Sequence, residues 1–209
     1  MERSRLENTR PPGRPRSAAA HGAILDAAIA LIREAGYDAL TMEAIAARAG
    51  VGKATVYRRW PGKETLVAEA IGRIVRAVPT PDTGSAAEDL RTLMRATLRM
   101  YQDPATAPLL SGLVAAMARS APIAAAVRAE FVGPRREGMR AVLARGAARG
   151  ELRADTDLEL ALDLLSGAPF YRYLVHGGAV DEALVEGAVD AVLRAFAPEV
   201  GPITRKGGG

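Results

Sequence analysis

Residues Thr41 to Leu66, TMEAIAARAGVGKATVYRRWPGKETL, constrain this chain more than any other stretch. A short apolar-periodic segment (Met42, Ile45, Ala46, Ala49) ends at Gly50. After a brief turn a second segment opens, with Val56 and Trp60 on one side and Tyr57, Arg58 and Arg59 between them. Two short helices meeting at a tight glycine-containing turn form a helix-turn-helix unit, whose second helix enters the DNA major groove. Ala46 is small where the helices cross, Gly50 can take positive φ, and Val56 fills the angle between them. The spacing alone is a weak signal. Thr41 as a helix cap before it and a basic, aromatic second helix after it make it specific.

The second helix is expected to run from Lys53 to Trp60. Val56 and Trp60, four apart, must face their own domain. That turns Lys53, Thr55, Tyr57, Arg58 and Arg59 outward or to the flanks. The hydroxyls of Thr55 and Tyr57 suit phosphate oxygens, and Lys53 with Arg58 or Arg59 can reach base edges. Lys63 adds charge where the next helix begins, and Thr41 offers a hydroxyl at another helix start. The competing reading makes Tyr57 a rim residue of the core and the arginines a solvated face. Four cations around so short an aromatic helix weigh against it.

Charge follows the same division. Residues 1–78 hold 13 Lys and Arg against 8 Asp and Glu, whereas residues 79–209 hold 15 against 16. The positive excess belongs to the part that carries the motif, as expected if that end meets a polyanion. With 49% hydrophobic and 25% charged residues the chain has the composition of a soluble globular protein. It contains no cysteine and only two histidines, His21 and His176, so neither a metal site nor a cofactor is expected. No nucleophile elbow, phosphate loop, dinucleotide fingerprint or HExxH zinc motif occurs. No apolar run is long enough to cross a membrane and the N-terminus has no secretory apolar core, so a cytoplasmic protein is expected.

In chain order, residues 1–17 read as a disordered basic arm. Its Pro11–Arg16 run either lies in a minor groove through Arg14 and Arg16 or is a solubilising tail. A helix-turn-helix domain spans 18–78 (motif 41–60), beginning with a helix from Ser17 or Ala18 to Ala35 that Gly36 stops. Pro79 to Gly84 reads as a linker. Residues 79–198 read as helical throughout, and 199–209 as a disordered tail. Ser85 and Glu88 form a capping box, Pro104 to Arg119 a nearly uncharged helix, and Ser120 to Gly150 a helix that Pro134 should kink. Thr156 and Glu159 form a second capping box, opening a helix that ends at Gly177 and Gly178. The last helix spans Asp181 to Phe196. The expected fold is all-α: a three-helix DNA-binding head joined through a further helix to a helical body.

In the body, Met94, Tyr101, Met117, Phe131, Phe170, Tyr171 and Tyr173 can line an apolar pocket between helices, or simply be core. The last two helices (about 157–178 and 181–196) each carry more apolar surface than one partner face needs, which suits a four-helix dimer interface.

With these residues laid out, the chain resembles the TetR family of transcriptional regulators. The likeness is close over residues 18–66, carried by Gly36-Tyr37, Leu40-Thr41, Ile45-Ala46, Ala49-Gly50-Val51, Thr55-Val56-Tyr57, Trp60-Pro61 and Lys63-Glu64. It implies a homodimer that binds a palindromic double-stranded DNA operator, usually as a repressor released by a small apolar effector in the C-terminal domain. It also implies DNA contacts at Thr41, Lys53, Thr55, Tyr57, Arg58, Arg59 and Lys63. Gly52 and Gly62 depart from the pattern, standing where polar caps are usual. Two other readings stand beside this one. One is an architectural DNA binder whose helical half is a dimerising scaffold without an effector pocket. The other is an enzyme with a helical active site, for which no residue cluster speaks.

Overall fold

A computed structural model of the protein describes residues 15–104 and 106–198, with side chains from residue 18. The described residues form ten α-helices and no strand: α1 (Pro15–Ala35), α2 (Met42–Arg48), α3 (Lys53–Tyr57), α4 (Lys63–Arg76), α5 (Ala86–Gln102), α6 (Ala107–Arg119), α7 (Ala121–Val127), α8 (Gly133–Ala148), α9 (Leu158–Tyr171) and α10 (Glu182–Ala195). Two π-helical turns interrupt the regular pattern, Arg128–Val132 between α7 and α8 and Arg172–His176 after α9.

Several boundaries differ from the sequence expectations. α1 begins at Pro15, so Arg16 lies in its first turn and not in an extended run; proline is tolerated there because a first-turn N–H has no intrahelical partner. Arg14 and the 199–209 tail lie outside the described residues. α3 ends at Tyr57, before Trp60, and α6 begins at Ala107, after Pro104. The cap of α9 is Asp157, whose carboxylate accepts from Leu160 N at 3.0 Å, while the Thr156 hydroxyl donates to Arg153 O. Ser85 caps α5, accepting from Glu88 N at 3.4 Å, but the box is not completed by Glu88: Ser85 N donates to the Thr83 hydroxyl at 3.4 Å.

The kink expected at Pro134 takes the form of a π turn immediately before it. Proline has no N–H for the carbonyl four residues back, Glu130 O, so an unbroken α-helix would strand that oxygen. Gly133 N instead bonds back to Arg128 O, and Glu130 O accepts from Arg76 Nη1 of α4 at 3.0 Å.

Two hydrophobic cores hold the molecule. One gathers Ile24, Ile45, Val56, Leu66 and Ile71 from the first four helices with Trp60 between α3 and α4, and continues into Leu109 and Leu113 of α6, Val127 of α7 and Phe131 of the π turn. The other joins α5, α8, α9 and α10 through Leu90, Met94, Met139, Leu143, Leu162, Leu165 and Val189. α4 therefore lies between the head and α6–α7. Its approach to the π turn is so close that a Cβ on Gly72 would sit 1.9 Å from Glu130 O.

The connection between α4 and α5 is tied down at its far end. Asp89, fully buried, accepts from Thr83 N at 3.0 Å and from the Thr83 hydroxyl at 2.8 Å. Arg145 of α8 donates to Pro81 O and also lies 3.6 Å from Asp89 Oδ2.

Candidate nucleic-acid interface

The turn between α2 and α3 is built by Gly50, at φ 66°, in the left-handed region. Val51 N donates to Ala46 O at 3.0 Å and Gly50 N to Ala47 O at 3.2 Å, the paired bonds of a Schellman motif. Thr41 caps α2, its hydroxyl accepting from Ala44 N at 3.1 Å. Gly52 starts α3 without a side-chain cap.

These turns fix which way α3 faces. Val56 is 0% exposed and Trp60 3%, whereas Tyr57 is 47% exposed. Lys53 and Arg58 are also exposed, and Thr55 and Arg59 half-buried. Trp60 is held by more than burial. Its Nε1 donates to Glu69 Oε2 at 2.7 Å, and its ring stacks on His21 at 5.1 Å between centroids. His21 Nε2 lies 2.7 Å from the other Glu69 oxygen, so α1, α4 and the end of the motif meet at one carboxylate.

Glu43 organises the outer face, and nothing in the local sequence pattern marked it. Its Oε1 lies 3.6 Å from Lys53 Nζ and accepts from the Tyr57 hydroxyl at 3.4 Å. Lys53 and Tyr57, one turn apart on α3, are thus both drawn to α2. A comparable tie joins α2 to α1, where Arg48 makes two 2.6 Å bonds to Glu34 and holds that carboxyl below the usual carboxylate range.

Lys63 differs from the other cations expected here. Its Nζ donates to Tyr37 O and Leu40 O, both at 3.3 Å, and sits 4.5 Å from the centre of the Tyr37 ring. It clamps the start of α4 to the α1–α2 loop. Burial, with Glu64 nearby, pushes the Tyr37 hydroxyl up to about 12.

Among the described residues, two cavities of the body are lined mostly by apolar surface. One of about 510 Å³, between α5–α9, is lined by Tyr101, Leu113, Met117, Phe131, Met139 and Phe170 among others. The other, of about 500 Å³, lies between α4, α5 and α8. Four of the aromatic and Met residues singled out from sequence, Tyr101, Met117, Phe131 and Phe170, thus meet in one cavity. Tyr173 packs against Tyr101 at 5.3 Å in an adjoining groove. Met94 is buried in the second core, and Tyr171 is 59% exposed. The residue that sequence reading passed over is Arg135, which lines both cavities. Its place beside Arg136 in a run of charged residues gave no local signal of burial.

Comparison with known proteins places this geometry. The family model described as bacterial regulatory proteins, tetR family, matches residues 24–70, and the tetracyclin repressor-like C-terminal domain model matches residues 80–192. The HTH-type transcriptional regulator YdeS of Bacillus subtilis is 36% identical over 185 residues, covering 88% of this chain and 91% of the relative. The DNA-binding transcriptional repressor TetR of Mycobacteroides abscessus is 33% identical over 186 residues, 87% of this chain and 93% of that protein. The crystal structure of the TetR family regulator SCO0332 superposes with a TM-score of 0.78 at 29% identity, covering 86% of this chain and 99% of that one. Regulators of this kind bind DNA as dimers and respond to small molecules; they are not enzymes. With both halves of the chain matched, this protein belongs to the TetR family of helix-turn-helix transcriptional regulators.

Proposed function

We propose that the protein is a cytoplasmic repressor that binds a palindromic operator as a homodimer and is released by a small molecule held in the α5–α9 cavity. The observation that carries the DNA-binding surface is the split across α3 and the turn that follows it: Val56 and Trp60 face inward while Lys53, Tyr57 and Arg58 face out. Lys53 and Arg58 reach toward base edges, and Thr41, Thr55, Tyr57 and Arg59 toward phosphates. Lys63 acts from one step behind, by fixing the α4 start against the loop that carries Thr41.

For the dimer, α9 turns an apolar stripe outward. Leu160, Leu164 and Tyr171 are 49%, 47% and 59% exposed, opposite the buried Ala161, Leu162 and Leu165. Beside it α10 presents the small residues Ala183, Gly187 and Ala191. A second copy applied to this face buries the stripe and sets the recognition helices at a fixed separation, about 34–36 Å for half-sites one turn apart.

Release runs through α4. The cavity wall includes Phe131 and Val132 of the π turn, and that turn rests on α4 at Gly72 and Arg76. A ligand that prefers a shifted π turn moves α4, and with it the head, out of register with the operator.

Combined Arg58→Ala and Arg59→Ala substitution tests the interface. Gel-shift affinity should fall, and the slope of log affinity against log salt should flatten by about one unit for each phosphate no longer neutralised. Unchanged affinity and slope would remove these side chains from the interface. Equal affinity for operator and random DNA would favour an architectural role.

A further inference from the structure

Arg135 stands at the start of α8, between the two cavities of about 510 and 500 Å³. It is half-buried as a residue, yet its Nε and Nη2 are shut away from solvent and have no protein partner. Among the described residues no carboxylate pairs with it; the polar group beside it is the Tyr101 hydroxyl. The contrast with its neighbours is sharp. Arg136 bonds Asp163 at 2.6 Å and Glu159 at 2.7 Å, and Arg140 is paired with Glu159. Arg91 and Arg95 are likewise matched to acids on α10.

A guanidinium keeps its charge in a protein, so burial leaves Arg135 as a cation with unused donors rather than neutralising it. Such a group destabilises the site until an anion arrives. Its planar fork matches the two oxygens of a carboxylate. Around it the α5–α9 cavity is apolar, walled by Leu110, Leu113, Val127, Phe131 and Phe170. The acid on that wall, Asp163, is already committed to Arg136. One unmatched positive charge in such surroundings suits one negative charge, not the roughly doubled charge of a phosphomonoester.

We infer that the effector is an amphipathic monocarboxylate, its carboxylate held by Arg135 beside the Tyr101 hydroxyl and its apolar body lying between α6, the π turn and α9. This rests on the effector-pocket reading above and adds the chemical class. A cavity of about 510 Å³ falls within the roughly 300–1,000 Å³ of small-molecule sites.

Calorimetric titration of the full-length protein with matched acid and alcohol pairs tests this: biphenylcarboxylate against biphenylmethanol, and decanoate against decanol. In at least one pair the acid should bind at least tenfold more tightly than the alcohol. Arg135→Met should remove that preference by weakening the acid while leaving the alcohol unchanged, and Arg135→Lys should keep part of it. Without ligand, Arg135→Met should melt no lower than the parent, because it removes an uncompensated buried charge. Alcohols binding as tightly as acids, a preference that survives Arg135→Met, or a lower melting temperature for that variant would each overturn the inference while leaving the pocket intact. Failure of all four compounds to bind the parent would overturn the pocket reading, and this inference with it.

Discussion

Arg76 Nη1 donates a 3.0 Å hydrogen bond to the carbonyl oxygen of Glu130, an oxygen that Pro134 cannot serve as an α-helical residue would. An irregularity in the body thus becomes a contact with the helix that carries the head. One turn before Arg76, Gly72 lets the two backbones approach so closely that any side chain there would collide with Glu130.

Gly72→Ala should therefore destabilise the protein, although alanine is the better helix former by up to about 1 kcal/mol. A Cβ at 1.9 Å from a backbone oxygen forces α4 and the π turn apart, and overpacking of this kind costs about 1–3 kcal/mol. Urea unfolding measures it; a net gain in stability would mean that the helices do not meet this closely.

Leu164→Glu should convert the dimer to monomer. It places a charge in the middle of the outward stripe of α9, where a partner would have to bury it. Light scattering coupled to gel filtration reads the mass, and operator affinity should fall with it. The monomer's helical content should be unchanged, since Leu164 is 47% exposed.

Above pH 10 stability should decline in a way that depends on Tyr37. Its folded pKa is about 12 against an ordinary 10.0, so the unfolded chain loses this proton first. The stabilisation, at most about 3 kcal/mol and less once solvent screening is allowed for, is complete below pH 10 and is lost as pH rises toward 12. Tyr37→Phe should flatten that decline. Denaturant melts at stepped pH check it, alongside phenolate absorbance, which should show Tyr37 ionising late.

The single tryptophan, Trp60, lies in the head, so its fluorescence follows the head alone while circular dichroism follows every helix. Because the first core runs from α1–α4 into α6, α7 and the π turn, the two signals should lose structure together in urea. Two separated midpoints would show that the head unfolds independently.

The head was legible because its determinants are local. Thr41, Gly50 and Val56 each act through neighbours within a few turns, and the structure has each in its expected role: Thr41 caps α2, Gly50 takes positive φ, and Val56 is buried, as is Trp60 beyond the end of α3. Helix ends in the body were readable to within a few residues for the same reason. What could not be read depends on partners distant in the chain. Glu43 matters through Lys53 and Tyr57, Lys63 through two carbonyls of another loop, and Arg135 through the absence of an acid where its neighbours have one. Hydrophobic spacing also could not separate Phe131 and Met117, which line a cavity, from Met94, which fills the core.

Asp89 gives the molecule a pivot. By pinning Thr83, with Arg145 fastening Pro81, it makes the second half of the α4–α5 connection part of the rigid frame. Within that connection, residues 77–80 are the part these ties leave out, a span of at most about 13 Å when fully extended. Under the release mechanism proposed above, the head therefore hangs from a short, anchored connection, and a shift of α4 passes to α3 with little slack.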